Sequence, residues 1–363
     1  MSSKKQITDL FRKEILAMSA YKVANASGLI KLDAMENPYN WPESLTLDWL
    51  ETLKSCELNR YPDPEAKALT ETIRAKNQIP NEFDILLGNG SDELIQILLM
   101  ALPQNATVLS PQPSFVMYQQ ISQSLGLSFI NMPVLADTFE LDLPAILEAI
   151  SEHQPAIIFL AYPNNPTGNL FSRDDIKAIL TASNGLVVID EAYAPFANAS
   201  FMDELVHFEN LLVMRTVSKL GLAGLRLGYL VGSPATIEQL KKIRLPYNIN
   251  ILTQVTAQFA LTHSNLFDEQ TRKICAERAF VYEQLGNIDG ILTYPSSANF
   301  ILFRVAQGKS TDIFTSIKNQ GVLIKNMNPQ GGLLTDCLRV TIGKPEENVL
   351  FLKALKYSLQ NLS

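Results

Sequence analysis

Side chains that build metal centres and disulfide frameworks are scarce in this chain of 363 residues. It contains three cysteines and three histidines, which lie far apart in the sequence: Cys56, His153, His207, His263, Cys275 and Cys337. An odd number of separated cysteines indicates neither a disulfide framework nor a cysteine-based zinc site. Histidines that occur singly disfavour a metal centre built on imidazole ligands. We therefore expect no metal site.

Long apolar runs and a surplus of positive charge are also lacking. No apolar segment approaches the roughly 20 residues that cross a bilayer as a helix. Residues 1–18 alternate charged and apolar side chains, unlike a signal peptide. The formal net charge of −7 disfavours a nucleic-acid partner, which requires a basic surface. We expect a cytoplasmic enzyme or binding protein with small-molecule partners, and neither a nucleic acid nor a membrane among them.

The sequence does contain a regular alternation of apolar and helical segments. Short, continuously apolar segments predict buried strands, and they lie at residues 106–110, 127–130, 156–161, 186–189, 211–214 and 227–232. Helical segments separate most of them, which predicts a mostly parallel sheet covered by helices on both faces. The predicted fold class is therefore α/β.

The predicted domain organisation depends on a break at residues 246–250, which begins with Pro246. Residues 1–28 are predicted as an N-terminal arm, residues 29–248 as a large domain and residues 249–363 as a small α+β domain. Whether the first part of the large domain packs with the small one is left open. Within the small domain, residues 253–285 are predicted as one long helix and residues 322–325 as one strand.

Polar and aromatic side chains follow the predicted strands at the points where the strands end. They are Phe115, Asn165, Asp190, Tyr193 and Lys219. Binding sites of parallel α/β sheets lie at the carboxyl ends of the strands. We therefore expect these five side chains to converge on one site.

Lys219 is preceded by Thr216 and Ser218 and followed by glycines and Arg226. A lysine amine in a partly desolvated pocket can lose its proton and attack an aldehyde. An arginine together with hydroxyl groups is suited to binding a phosphate. An aldehyde and a phosphate together describe pyridoxal 5'-phosphate. The alternative is a solvated lysine and a surface arginine around a glycine-rich turn.

A second candidate anion site is the run Gly88-Asn89-Gly90-Ser91-Asp92-Glu93, which leads into an apolar helical segment. Glycines followed by serine and aspartate predict a tight turn that opens a helix. The unpaired backbone N–H groups of such a helix start attract anions. A purely structural helix cap explains this run equally well.

Taken together, these motifs resemble those of the fold-type I enzymes that depend on pyridoxal 5'-phosphate. Within them the chain is similar to the histidinol-phosphate aminotransferase family, a class-II aminotransferase family. The resemblance is carried by residues 60–63, 88–93, 164–168, 190–193, 218–226 and 338–341. It implies a large domain with a mostly parallel sheet of the seven-stranded type and a smaller α+β domain. It also implies transamination of L-histidinol phosphate with 2-oxoglutarate, in histidine biosynthesis.

The resemblance also implies roles around the cofactor ring. Lys219 would form the internal aldimine and move the proton during catalysis. Asp190 would pair with the ring nitrogen and keep it protonated. Asn165 and Tyr193 would hydrogen-bond the ring 3'-oxygen, and Phe115 would stack on the ring face.

Further residues are implied for the phosphate and the substrate. The cofactor phosphate would be held by Gly90, Ser91, Asp92, Thr216, Ser218 and Arg226. Tyr61 would reach it from the neighbouring subunit, which implies a homodimer with shared active sites. The substrate would contact Tyr21, Lys325 and Arg339. Lys325 stands where the family often has arginine, so the charge is kept and the bidentate fork is lost.

Three alternatives remain open at this point. An aromatic amino-acid aminotransferase would use Tyr21, Phe115 and Arg339 about as well. A decarboxylase of a phosphorylated amino acid has a closely similar scaffold. A regulatory module that binds the cofactor without turnover is the third, although the chain shows no basic patch for DNA.

Overall fold

The structure is a computed structural model that describes residues 7–20 and 23–361, with the backbone alone described at Asp9. Tyr21, predicted as a substrate contact, lies outside the described residues. Within them, no helix is long and apolar enough to cross a membrane.

Thirteen strands are found among the described residues. They are β1 (Ile30–Lys31), β2 (Asp84–Gly88), β3 (Thr107–Pro111), β4 (Ser128–Met132), β5 (Ile157–Ala161), β6 (Leu186–Asp190), β7 (Leu211–Thr216), β8 (Gly228–Gly232), β9 (Leu292–Thr293), β10 (Phe300–Arg304), β11 (Val322–Leu323), β12 (Lys325–Asn326) and β13 (Cys337–Thr341). The six apolar segments identified in the sequence correspond to β3 to β8. β2 was not predicted.

The described α-helices surround these strands. They are α1 (Lys13–Ala17), α2 (Glu43–Leu53), α3 (Lys67–Asn77), α4 (Gly90–Met100), α5 (Val116–Leu125), α6 (Leu143–His153), α7 (Arg173–Ala182), α8 (Pro234–Lys241), α9 (Ile251–Thr262), α10 (Ser264–Gly286), α11 (Ser310–Asn319) and α12 (Pro345–Asn361). Helices α3 and α6 were not predicted from the sequence.

The central sheet has seven strands in the order β2-β8-β7-β6-β5-β3-β4. Strand β8 pairs antiparallel with both β2 and β7, and the other pairings in the sheet are parallel. Strand β5 is buried along its whole length, as expected for a sheet with helices on both faces. The predicted α/β fold with a mostly parallel seven-stranded sheet is confirmed.

The prediction of one helix over residues 253–285 was wrong, because the chain breaks at His263 between α9 and α10. The carbonyl of Phe259 accepts a hydrogen bond from the Thr262 hydroxyl at 2.7 Å and lies 2.8 Å from Nδ1 of His263. Side chains that satisfy the last carbonyls of a helix favour its termination. The local polar groups thus end α9 within an otherwise continuous helical pattern.

The single strand predicted at residues 322–325 is divided between two sheets. Strand β11 pairs in parallel with β1, whereas β12 joins a four-stranded sheet in the order β12-β13-β10-β9. The pairings in that sheet are antiparallel. The chain changes partner because β1, from the N-terminal part of the chain, occupies the edge beside β11.

Helix α10 contributes to two hydrophobic cores. Its Phe267 packs in the core of the seven-stranded sheet, together with Ala257 and Ala260 of α9. Its Ile274 and Val281 pack in the core of the four-stranded sheet. Helix α9 follows the domain boundary predicted at residues 248 and 249, yet it packs with the large sheet. We therefore propose a boundary within α10, between Phe267 and Ile274.

Candidate active site

A cavity of about 120 Å³ lies at the carboxyl ends of the parallel strands. Ten of the predicted site residues line it: Ser91, Asp92, Phe115, Asn165, Asp190, Tyr193, Thr216, Ser218, Lys219 and Arg226. These residues come from separate loops that follow different strands, and the parallel sheet brings the loops together. The expected convergence of polar groups is therefore found.

Lys219 lies directly after β7 and donates a hydrogen bond from Nζ to the backbone oxygen of Ala34 at 3.2 Å. Burial lowers the pKa of this amine to about 8, with further lowering by the charges of Arg339 and Arg226. Because the charged form is disfavoured, more of the amine is neutral near neutral pH than in an ordinary lysine, although the protonated form still predominates. This is the form that attacks an aldehyde.

Asp190 ends β6 and is 4% exposed. Its Oδ1 accepts a hydrogen bond from the backbone N–H of Ala192 at 3.1 Å, and its Oδ2 accepts one from the Tyr118 hydroxyl at 2.6 Å. Burial raises the pKa of Asp190 to about 6, and both hydrogen bonds act in the opposite direction. Asp190 also lines the cavity, and a buried carboxylate there suits a partner that carries a proton.

The start of α4 and the segment around Arg226 form a cradle for an anion. Ser218 lies 2.9 Å from the Thr216 hydroxyl and 3.4 Å from Nη1 of Arg226. The Asp92 carboxylate lies 3.6 Å from Nη2 of Arg226. Asp92 therefore acts through the arginine, since a carboxylate is a poor direct ligand for a phosphate. Hydroxyl groups, an arginine and a helix start fit a phosphate group.

Gly90 keeps this cradle open. Its φ is +79°, and a Cβ atom there would lie 2.7 Å from Nη2 of Arg226. A side chain would thus occupy the space in front of the guanidinium and would also strain the backbone. The positive φ, more than the contact with the flexible arginine, therefore favours glycine at this position.

Asn165 and Tyr193 are joined to Arg339 in one hydrogen-bonded chain. The amide Nδ2 of Asn165 donates to the Tyr193 hydroxyl at 3.2 Å, and Nη1 of Arg339 donates to Oδ1 of Asn165. Arg339 also donates to the backbone oxygen of Asp33 at 3.1 Å. Arg339 lies on β13 of the four-stranded sheet, and its guanidinium reaches Asn165, which lines the cavity, although Arg339 itself is not a lining residue.

Lys325 lies directly opposite Arg339 in the pairing of β12 with β13. Directly opposite residues of antiparallel strands place their side chains on the same face of the sheet. Like charges directly opposite each other on a sheet are unfavourable, so this arrangement would suit an anion. Lys325 does not line the cavity itself.

Tyr61 lies away from the cavity of its own chain. Its side chain is 81% exposed, and its ring stacks on Tyr247 with 4.5 Å between the ring centroids. The structure therefore does not bring Tyr61 to the other predicted phosphate contacts within one chain.

Tyr118 is the residue at this site that sequence reasoning missed. It is fully buried, and it lies three residues after Phe115, so the two can share a helix face. This spacing is the signal that could have indicated it. The spacing alone does not show that the hydroxyl meets Asp190, which is 72 positions away.

A family model described as aminotransferase class I and II matches residues 27–355. Histidinol-phosphate aminotransferase 2 of Nitrosococcus oceani is 54% identical over 360 residues, which cover 99% of this chain and 100% of that protein.

Two solved structures are similar to this one. Histidinol-phosphate aminotransferase from Clostridium acetobutylicum has a TM-score of 0.84 and 25% identity, covering 92% of this chain and 100% of that chain. The enzyme of the same name from Sinorhizobium meliloti, in complex with pyridoxal-5'-phosphate, has a TM-score of 0.84 and 23% identity. That match covers 97% of this chain and 98% of the other. At this level of sequence identity it shows only that the two chains share a fold.

Proposed function

Because this chain belongs to the aminotransferase class I and II family, we propose that it transfers the amino group of L-histidinol phosphate to 2-oxoglutarate. The products are imidazole-acetol phosphate and L-glutamate, and the reaction belongs to histidine biosynthesis. The family predicted from the sequence is confirmed. The aromatic aminotransferase and decarboxylase alternatives are not favoured by relatives of this similarity.

The cofactor of this reaction is pyridoxal 5'-phosphate. When bound, it supplies an aldehyde that takes up the amino group and a protonated ring that withdraws electrons from the reacting carbon. Lys219 would hold the aldehyde end and Asp190 the ring nitrogen. The cradle of Gly90, Ser218 and Arg226, with Ser91, Asp92 and Thr216, would hold the phosphate.

Lys219 is the group that carries protons in this proposal. Its pKa of about 8 lets the amine accept a proton from a substrate carbon and return it during one turnover. Asp190 would stabilise positive charge on its partner, because among the described residues its side chain accepts hydrogen bonds from neutral donors, Ala192 and Tyr118. Asn165 and Tyr193 orient the cofactor oxygen beside them, and Phe115 packs on the ring face.

The observation that carries the substrate proposal is the pairing of Lys325 with Arg339 in one register position of the small sheet. L-histidinol phosphate has a phosphate and no carboxylate, whereas 2-oxoglutarate has two carboxylates. Arg339 suits either anion through its fork, and Lys325 adds a second, less directional charge. Tyr21 remains a predicted substrate contact.

We also propose a cytoplasmic homodimer in which Tyr61 completes the neighbouring active site. Exposed apolar side chains support this proposal. They lie in the segment that precedes Tyr61 and in the segment of its stacking partner: Leu47, Leu50, Leu58, Leu245 and Tyr247. Within one chain Tyr61 contacts Tyr247 and is otherwise largely exposed. A second copy that covers this face would bury it.

The test begins with the visible spectrum of the purified protein. L-histidinol phosphate and L-phenylalanine are then added separately, and loss of the cofactor absorption band is followed against concentration. We expect L-histidinol phosphate to act at far lower concentration than L-phenylalanine. Lys219→Ala should lack the band, and Lys325→Ala should weaken the response to L-histidinol phosphate more than the response to L-phenylalanine.

Each other outcome identifies a different error. A stronger response to L-phenylalanine would replace the substrate proposal by the aromatic alternative. Release of carbon dioxide from a phosphorylated amino acid would favour the decarboxylase. Absence of any cofactor band in wild-type protein would reject the enzyme proposal.

A further inference from the structure

Tyr118 contacts two groups that the proposed function places against the cofactor. Its hydroxyl donates to Oδ2 of Asp190 at 2.6 Å. Its ring meets the edge of Phe115 at 5.4 Å between centroids, with an interplanar angle of 85°. One side chain therefore touches both the carboxylate for the ring nitrogen and the aromatic ring that packs on the cofactor face.

The surroundings of Tyr118 hold it in place. The residue is fully buried, and its ring stacks on Phe159 at 4.8 Å with an interplanar angle of 10°. Its backbone N–H donates to the carbonyl of Phe115 at 3.2 Å. A ring packed on one face and at one edge has little freedom to rotate, so the position of its hydroxyl is determined by the core.

The hydroxyl of Tyr118 acts as a donor toward Asp190. Burial, and then the charge of Asp190, hold the pKa of Tyr118 well above its usual range, so the phenol keeps its proton. A neutral donor stabilises the ionised carboxylate without cancelling its charge. An arginine or lysine in this position would neutralise the carboxylate instead, and would compete with a protonated ring nitrogen.

Together, Tyr118 and Ala192 fix the plane of the Asp190 carboxylate. Ala192 donates to Oδ1, and Tyr118 donates to Oδ2. The neighbouring carboxylates of Asp92 and Glu191 act in the opposite direction, because their charges disfavour ionisation of Asp190. Tyr118 is the one side-chain donor to Asp190 among the described residues, so it offsets both this repulsion and the burial.

We propose that Tyr118 is a positioning residue that orients Asp190 and keeps it ionised, so that the carboxylate holds a proton on the cofactor ring nitrogen. This inference rests on the proposed function. Tyr118 touches neither the substrate nor the cofactor in this role; it acts through Asp190, and through Phe115 it also sets the packing of the ring face.

The test uses Tyr118→Phe in the full-length holoenzyme, because phenylalanine keeps the packing on Phe159 and Phe115. Two quantities are measured: the Kd of pyridoxal 5'-phosphate, and the ¹⁵N chemical shift of bound cofactor labelled at its ring nitrogen. We expect a Kd about 10-fold higher, as for loss of one hydrogen bond to a charged group. We also expect the ¹⁵N shift to move toward that of the unprotonated ring.

Tyr294→Phe is the matched control, since it removes the hydroxyl of another buried tyrosine, which packs with Phe139 and Leu302 in a separate hydrophobic core. It should leave the Kd and the ¹⁵N shift at their wild-type values. A double-mutant cycle supplies the second control. Because Tyr118 acts through Asp190, Tyr118→Phe should change the Kd less than 2-fold, roughly, in an Asp190→Asn background.

Tyr118→His keeps an N–H donor at this position and serves if the phenylalanine variant does not fold. Its Kd should lie closer to wild type than that of an Asp190→Asn variant. Unchanged Kd and ¹⁵N shift in Tyr118→Phe would overturn the inference, as would full additivity with Asp190→Asn. If wild-type protein binds no cofactor, the proposed function itself fails. If wild-type protein binds the cofactor but the Tyr118 variants do not show the expected changes, this inference alone fails.

Discussion

Arg339 donates a hydrogen bond to the side chain of Asn165, although the two residues lie 174 positions apart and belong to different sheets. The contact joins Arg339, proposed to bind the substrate anion, to Asn165 and Tyr193, proposed to bind the cofactor. An anion that binds Arg339 therefore acts on Asn165, and through it on Tyr193.

Arg339→Lys should weaken binding of both substrates, because lysine keeps the charge and loses the fork. We expect the KM for 2-oxoglutarate to rise about 10- to 100-fold, the range for a lost hydrogen bond between charged groups. Steady-state kinetics provide the measurement. Arg173→Lys, which alters an arginine paired with Asp203 away from the cavity, should have a wild-type KM. An equal KM in both variants would contradict the assignment of Arg339.

Uptake of the cofactor by cofactor-free protein should depend on pH through Lys219. The pKa of this amine is lowered from 10.5 to about 8, and only the neutral amine attacks an aldehyde. The rate at which the cofactor band develops should therefore rise with pH through about 8. Arg339→Gln removes a positive charge that lowers the pKa of Lys219. The rate in this variant should therefore rise at a higher pH than in wild type. A wild-type midpoint near 10.5 would contradict the burial of Lys219.

Asp190→Asn should stabilise the cofactor-free protein while it impairs catalysis. The pKa of Asp190 is raised from 3.8 to about 6 in the folded state. The stability that Asp190 contributes is fully present below its unfolded pKa of 3.8. It is lost as the pH rises through its folded pKa of about 6. Asparagine avoids that loss, so its free energy of unfolding should exceed wild type by about 2–3 kcal/mol at neutral pH.

The same difference should nearly vanish in acid, where the Asp190 carboxyl is protonated in both states. Urea unfolding of wild type and Asp190→Asn, each measured at neutral pH and in acid, tests this. A difference of the same size at both values would mean that the substitution acts through packing rather than through ionisation.

Gly90→Ala should reduce cofactor affinity, because the added Cβ would lie 2.7 Å from Arg226 at a backbone φ of +79°. We expect a Kd for pyridoxal 5'-phosphate about 10-fold higher, and a loss of about 1 kcal/mol in stability from the left-handed backbone. Gly290→Ala is the matched control, since its φ is +80° and no neighbouring group is recorded within 4 Å of an added Cβ. Equal affinities for the two variants would exclude Gly90 from the phosphate cradle.

Sharing of active sites predicts complementation between two inactive variants. In a mixed dimer of Tyr61→Ala and Lys219→Ala, one site combines both substitutions and the other keeps both native residues. Mixed dimers, formed by co-expression with two affinity tags, should regain about half of the wild-type activity per dimer. If the mixed dimers stay as inactive as the Lys219→Ala parent, Tyr61 does not act across the interface.

Much of the central sheet could be predicted because its strands are continuously apolar and short. Phe115, Asn165, Asp190 and Lys219 were expected to converge for the same reason, because each follows such a strand and a parallel sheet aligns the strand ends. They line one cavity. These are local signals combined with one rule of topology.

Other features depend on partners that no local pattern reveals. The break at His263 arises from side chains that meet the carbonyl of Phe259. The change of sheet between β11 and β12 depends on β1, which comes from the start of the chain. The hydrogen bond from Tyr118 to Asp190 joins a helix to the end of a strand. No periodic pattern in the sequence indicates which group a tyrosine hydroxyl meets.

Helix α10 has a consequence for how this protein could be divided. Phe267 anchors it in one core, and Ile274 and Val281 anchor it in the other. A chain cut between residues 248 and 249 would leave α9 on the C-terminal fragment and expose the apolar surface that α9 covers. The two halves would depend on each other for solubility and would reassemble as fragments rather than persist as independent modules.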